Sequence, residues 1–445
     1  MAGIPRRRRG DPAMTASIDV ASLHGSLRDP VLGSLEFLNE VMGRYPDAVS
    51  FAPGAPHPLF HADLDPQRYV DRFLDHLTAE RGLPDTTARR LLFEYGPSRG
   101  IINDVLAPAL ADEHGVAVDP DSVIVTVGAQ EGMLLTLRTL LSEPGDVLAV
   151  ANPCFVGITG AARILDAPVL GIPESPDGIA VDLLAEACRS ARDTGRRIRI
   201  CYVAPDYANP GGVRMSERCR RRLLDLAERE DFFVLEDNAY GFTRPPGPAP
   251  APLKALDRTG RVICIGTFAK VCFPGARVGY VLADQWVDDA GTGRRQRLAA
   301  LLAAVKSMVT VNTSPLCQAV IAGMLLEHGA SLSRLGSRQA ALYRRNLRQL
   351  LDSLQRHAGD LRPVIDWSRP DGGFFVRVTV PVAVDSGLLE LSANRYGVLW
   401  TPMKPFFTDG AGDRQLRLSC SYLEPEEIET GVQRLTQFFR KEVVA

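Results

Sequence analysis

Between about residues 122 and 281, short apolar, β-branched runs alternate with longer helical stretches. The strand-like runs fall at 122–127, 146–151, 199–203, 232–236, 262–267 and 279–281. Helical stretches at 130–141, 181–194 and 216–230 lie between them. Strands joined through helices run parallel, because a parallel neighbour needs a long crossover and a helix supplies it. This pattern predicts an α/β domain with a mainly parallel sheet covered on both faces. The proline-rich stretch 245–252 is read as a loop, since Pro can neither continue a helix nor donate to a ladder.

After residue 294 the pattern changes to helices at 294–308, 314–327 and 332–357. Strand-like runs at 373–380 and 415–419 follow. A second, smaller α+β domain is therefore expected, since 445 residues exceed what one core usually holds. The expected division is a flexible tail over 1–30 and an N-terminal segment, 31–75, contributing to the small domain. A large domain over 76–312 and a small C-terminal domain over 313–445 complete it. An amphipathic helix is expected over 35–45. Arg6 to Arg9 are followed by no apolar run, so no secretory signal is read there, and Met14 is an alternative start.

Charge and cysteine usage narrow the classes further. A formal net charge of −2 gives no basic field for nucleic acid or an anionic membrane. Apolar runs are strand-sized, short of the roughly 18–20 residues of a membrane span. The eight cysteines form no C-x-x-C pair, which suits reduced thiols in a cytoplasmic protein and predicts no metal site.

Four segments sit where strands end, the place where parallel sheets gather ligands. VGAQEG at 127–132 opens a helix, so its free N–H groups form either a phosphate cradle or a plain strand-to-helix turn. EDNAY at 236–240 ends a buried strand in Asp237, which needs a cationic partner unless it is only an N-cap. PDYANPGG at 205–212 holds Asn209 before Pro, ready to offer its amide or simply to close an Asx turn. GTFAKVCFPGARVG at 266–279 sets Lys270 after an apolar strand, where desolvation lowers its pKa as a Schiff-base amine requires. Arg277, seven residues on and past a Pro-Gly turn, can fold back toward the same anion.

In this order, the four segments resemble the fold-type I pyridoxal-phosphate enzymes of the class I/II aminotransferase group, in its kynurenine/α-aminoadipate branch. The similarity runs from about Leu35 to Arg434, and the lysine segment is its most specific part. The resemblance implies a large domain with a mainly parallel seven-stranded sheet, a smaller α+β domain, and pyridoxal 5′-phosphate as cofactor. It makes Lys270 the Schiff-base lysine and proton carrier, and Asp237 the partner of the pyridinium nitrogen. Asn209 and Tyr240 would hold the ring oxygen, and Phe155, in NPCFVG at 152–157, would stack on the ring. Ala129, Gln130, Thr267 and Arg277 would take the phosphate. Tyr95, in YGPSRG at 95–100, would reach the phosphate of a neighbouring subunit, which implies a homodimer. Arg417, in LRLS at 416–419, would grip the substrate α-carboxylate, with Gly54 and Asn209 also facing substrate.

Departures from the family pattern bear on the reaction. Ala269 stands where a second phosphate-binding hydroxyl is usual, Phe155 replaces a tyrosine, and Gly211-Gly212 replaces Thr-Gly. Lys404, in MKPFF at 403–407, occupies a usually small, neutral loop, and it either reads an acidic substrate group or is solvated. His57 carries the same ambiguity. LHGSLRDP at 23–30, FLNE at 37–40 and YPD at 45–47 are similar, more loosely, to dihydroxyphenylglycine-type aminotransferases and lincosamide tailoring enzymes of antibiotic biosynthesis. The expected activity is transamination of an α-amino acid with a keto acid. β-Elimination and decarboxylating or oxidative deamination use the same residues and stay open. A transcription regulator of this fold would need a helix-turn-helix domain ahead of it, and only about 30 loose residues precede the matching region.

Overall fold

The computed structural model describes residues 17–29, 31–33, 40, 43–62, 64–362 and 364–444. The helix expected over 35–45 lies largely outside the described residues, as does the first part of the expected tail. Seven strands form the body of the main sheet: β1 (Val123–Thr126), β2 (Asp146–Asn152), β3 (Val169–Ser175), β4 (Arg197–Val203), β5 (Phe233–Asp237), β6 (Val262–Thr267) and β7 (Gly279–Leu282). Their order is β1-β7-β6-β5-β4-β2-β3, with the two-residue Gly178–Ile179 added outside β3 as an eighth, antiparallel strand. The pairs β2–β3, β2–β4, β4–β5 and β5–β6 are parallel, and among these seven strands β7 alone runs against its neighbours.

This sheet separates two apolar layers. On one face lie Ile124, Leu148, Ile200, Leu235 and Ile263 with helix α1 (Gly128–Leu140) and helix α2 (Leu298–Val309). The other face packs Val125, Ala149, Cys201, Val234 and Cys264 against helices that include α3 (Pro315–Glu327). Alternate residues of one strand thus enter opposite layers, which explains why these runs read as continuously apolar.

A four-stranded antiparallel sheet forms a further layer, from β8 (Asp366–Trp367), β9 (Phe375–Thr379), β10 (Thr401–Pro402) and β11 (Gln415–Ser419), in the order β8-β9-β11-β10. Its core joins the C-terminal part of helix α4 (Ser337–Ala358), helix α5 (Pro425–Phe438) and Phe51 from the N-terminal segment. The boundary expected at residue 313 cuts through the larger core instead. Ala319, Ile321 and Leu325 of α3 pack there with Phe73, Leu332 and Leu335, and the second core begins at Leu347. The chain therefore passes from one core to the other between Leu335 and Leu347, over the first half of α4.

Two expected helices also change. Residues 294–297 form a hairpin with Trp286–Asp289, and α2 starts only at Leu298. The stretch 332–357 is broken at Gly336, where an added Cβ would lie 2.9 Å from Val271 Cγ1. Among the described residues no helix is long and apolar enough to cross a membrane.

Candidate active site

The carboxyl ends of β4, β5 and β6 open onto a cavity of about 270 Å3. Eleven of the twelve predicted residues line it: Gly54, Ala129, Gln130, Phe155, Asn209, Asp237, Tyr240, Thr267, Lys270, Arg277 and Arg417. Gly54 and Arg417 come together because the N-terminal segment and β11 share one layer, and that layer faces the ends of β4 to β6 across the cavity.

At one end the loop after β1 turns into α1 through Gly128, whose φ is +70°. A side chain there would place its Cβ 2.5 Å from Arg277 Nη2, so the glycine lets backbone and guanidinium converge. The first amides of α1 have no acceptor within the helix, and with Arg277 beside them they could serve as an anion cradle. Thr267 Oγ1 accepts the Ala269 N–H at 3.1 Å and sits beside this cradle.

Asp237, at the end of β5, marks the other end. It is 6% exposed, and Tyr202 Oη donates to its Oδ2 at 2.6 Å. Its Oδ1 is buried without any partner among the described residues. Burial pushes this carboxyl up to about 6, against the Tyr202 hydrogen bond and the Lys270 charge, which pull it down. An orphaned buried carboxylate oxygen at one end and an anion cradle at the other fit a flat cation carrying a phosphate. Pyridoxal phosphate has those two features. Asp237 would hold its ring nitrogen, and Gly128 to Gln130 with Thr267 and Arg277 its phosphate.

A pH test isolates Asp237. The folded, cofactor-free protein holds this proton more tightly than the unfolded chain does, whose carboxyl titrates near 3.8. Stability from this group is therefore full below about pH 4 and is lost as pH rises through about 6, by roughly 3 kcal/mol in all. Asn cannot ionise. Cofactor-free Asp237→Asn should match the parent at pH 4 and exceed its unfolding free energy by roughly 2–3 kcal/mol at pH 7. Urea unfolding at both pH values checks this, and a difference independent of pH would refute it.

Between the two ends, Lys270 Nζ donates to the Gly54 carbonyl at 2.6 Å. Burial, with Arg417 and Arg277 nearby, pushes its amine down to about 8, against the pull of Asp237. A Cβ on Gly54 would lie 2.8 Å from Phe375 Cζ, so only glycine brings this carbonyl so close. Tyr240 is buried edge-on against Phe374 and Phe375, with ring centroids 5.0 and 5.6 Å away, and burial raises its phenol pKa.

Arg417 points in from β11 and is 5% exposed. Its Nη1 donates to Asn209 Oδ1 at 2.6 Å, and its Nη2 to the Ala52 carbonyl at 3.0 Å and Thr401 Oγ1 at 3.2 Å. Phe375 and Phe406 flank the guanidinium, 4.3 and 5.1 Å from its carbon. Its Nε has no partner, and among the described residues no carboxylate pairs with it. Burial lowers its pKa to about 10, so it stays a cation and lacks an anion. A carboxylate on a bound molecule would supply that missing charge.

The twelfth predicted residue, Tyr95, and the two ambiguous positions, His57 and Lys404, lie elsewhere. Tyr95 is 90% exposed in a surface cleft with Phe93 and Asn312, outside the cavity of its own chain. His57 is buried, its N–H donating to Tyr343 Oη at 3.2 Å and its Nε2 lying 3.3 Å from Glu424. Burial lowers its pKa, against the pull of Glu424. Lys404 lines a neighbouring cavity of about 590 Å3 with Thr401 and Phe406. Seven of the eight free cysteines are buried. Cys264 lies with His114 and Glu236 in a buried group whose ligand atoms fall within 4.8 Å of one another.

Sequence reasoning missed Tyr202 and Thr401. Tyr202 could have been found, since a phenol near the end of a buried strand needs a partner, and the neighbouring strand ends in Asp237. Thr401, a short-strand residue beside Arg417, carries no such signal.

The comparisons with known proteins agree with this geometry. Residues 71–435 match the model of the family described as aminotransferase class I and II. The chain is 45% identical to (S)-3,5-dihydroxyphenylglycine transaminase of Amycolatopsis orientalis, over 95% of this chain and 94% of that one. It is 29% identical to aromatic-amino-acid aminotransferase 1 of Thermococcus litoralis, over 89% of each chain. The crystal structure of Pyrococcus horikoshii kynurenine aminotransferase with PMP superposes with a TM-score of 0.77, at 27% identity, covering 92% of this chain and 95% of that one. A family match over most of the length and a cavity suited to pyridoxal phosphate lead to one conclusion: the chain belongs to the class I and II aminotransferases, pyridoxal-phosphate enzymes of fold type I.

Proposed function

We propose that this aminotransferase moves the amino group of an aromatic α-amino acid of the arylglycine type to a keto acid, in secondary-metabolite biosynthesis. The observation that carries the reading is a buried Arg417 lacking an anion, in the same cavity as a partly desolvated Lys270. The 45% identity to a dihydroxyphenylglycine transaminase supports the class of side chain.

Bound pyridoxal phosphate supplies the electron sink that makes a substrate Cα–H acidic. In the proposed roles, Arg417 clamps the α-carboxylate while Asn209 Oδ1 holds the guanidinium in plane, leaving Nδ2 as the donor to the ring oxygen. Tyr240 is the second donor to that oxygen. Tyr202 fixes Asp237 through Oδ2, so that Oδ1 is the atom left for the ring nitrogen. Phe155 stacks on the ring. Lys270 Nζ takes the Cα proton and returns it to C4′, a task that suits an amine titrating near 8 at neutral to mildly alkaline pH.

The proposed assembly is a cytoplasmic homodimer. Phe93 and Met308 are 74% and 85% exposed around the Tyr95 and Asn312 segments, an apolar surface of the kind a partner covers. Tyr95 would serve the partner's phosphate.

An amino-acid panel tests the reaction and substrate together. Hydroxylated arylglycines should show kcat/KM at least about tenfold above aliphatic amino acids, a modest demand on a shaped aromatic pocket. Without keto acid the reaction should stop after one turnover per site. Sustained release of ammonia, carbon dioxide or peroxide under air would overturn transamination in favour of elimination or oxidative deamination.

A further inference from the structure

We propose that Lys306 is a positioning residue for the phosphate of the cofactor, acting through Glu131 on the loop that starts α1. The inference rests on the reading that Gly128, Ala129, Gln130 and Arg277 hold that phosphate.

Helix α1 has no side-chain cap at Val127 in the usual sense. Instead Glu131, one turn inside, reaches back, and its Oε2 accepts the Val127 N–H at 2.7 Å. The contact is analogous to the reach-back half of a capping box, made from the fourth helical residue instead of the third. It satisfies the amide just ahead of the helix and leaves the next three N–H groups for an external anion. The loop thus keeps its donors free because one carboxylate sits where the backbone would otherwise have to turn.

That carboxylate creates a problem of charge. Glu131 is 7% exposed, and an unneutralised carboxylate in the first turn would oppose a phosphate dianion beside it. Lys306, on α2, removes the conflict. Its Nζ donates to Glu131 Oε2 at 2.7 Å and to Thr310 Oγ1 at 2.8 Å, and Thr310 Oγ1 donates to Glu131 Oε1 at 2.5 Å. Lys306 is 0% exposed, so solvent cannot stand in for its charge. A buried ion pair is weak evidence of stabilisation as such. This one is closed into a three-membered group of side chains, and among the described residues the backbone amide to which those side chains hydrogen-bond is that of Val127, which leads into the cradle.

The test compares pyridoxal phosphate with pyridoxal, which lacks the phosphate, by titrating the cofactor-free protein and following cofactor absorbance. Lys306→Met should raise Kd for pyridoxal phosphate about 10- to 100-fold, the effect of one opposed charge near the site, and leave pyridoxal within about twofold. The double variant Lys306→Met with Glu131→Gln removes both charges, keeps an acceptor for Val127, and should recover most of the phosphate affinity. Equal weakening of both ligands, no weakening of either, or a double variant as weak as the single one would each overturn the proposal. Arg277→Gln checks the underlying reading. It should depress phosphate-dependent affinity by itself, and a failure there would remove the cradle rather than Lys306 alone.

Discussion

Lys270→Ala is expected to lose the visible absorbance band of the bound cofactor and to lower turnover by at least about 10^4-fold, combining loss of the covalent anchor with loss of the proton carrier. The physical reason lies in what the amine must do. It has to be neutral part of the time to take a proton, and its place beside the Gly54 carbonyl in the cavity, near Arg277 and Arg417, makes that possible near pH 8. Lys270→Arg sharpens the point. It keeps a cation in the same cavity, but a guanidinium is not deprotonated in a protein and cannot shuttle the proton. If Lys270 served only as a positive charge, Lys270→Arg would retain much of the activity. The expected result is that it is as inactive as alanine, by steady-state rate and by single-turnover absorbance. Near-parental turnover in either variant would remove Lys270 from the reaction.

What made this site legible was chemistry attached to strand ends. Val262–Thr267 reads as a strand from six residues, and Lys270 and Arg277 follow at fixed offsets, so the segment points to a site before any fold is known. The strands were legible for a related reason: in a sheet covered on both faces, Val123–Val125 of β1 and Val262–Ile265 of β6 are apolar, whichever layer each residue enters. β3 was missed because Gly171 and Pro173 disguise it, and Pro is tolerated there only near the edge of the sheet. Residues 294–297 were read as helix because four long polar residues carry no period of their own. The Asp289–Gly293 turn and the stacking of Arg297 on Trp286, 4.0 Å from the ring centroid, decide the hairpin instead. The partners of the site were hardest to see. Tyr202 touches Asp237 from 35 positions away and Lys306 touches Glu131 from 175, and no local pattern encodes such contacts.

Arg417→Gln is expected to separate activity from stability. Removing one member of a buried charge-assisted pair costs about 2–5 kcal/mol, so kcat/KM for an amino acid should fall roughly 30- to 5,000-fold. The loss should depend on the carboxylate. A primary amine with the same side chain but no carboxylate never met Arg417, so its slow reaction should be unchanged, and the preference for amino acid over amine should collapse. Stability should move the other way or not at all. In the free enzyme Arg417 is a buried cation without a carboxylate, held by Asn209, Thr401 and the Ala52 carbonyl, with burial lowering its pKa to about 10. Replacing an uncompensated buried charge by a neutral amide of similar reach is neutral or stabilising. The melting temperature of Arg417→Gln should therefore equal or exceed that of the parent, while the substrate carboxylate, which stabilises the parent on binding, should no longer raise it. A variant that lost activity toward acid and amine alike, with a fall in melting temperature, would mean that Arg417 holds the two layers together rather than the substrate.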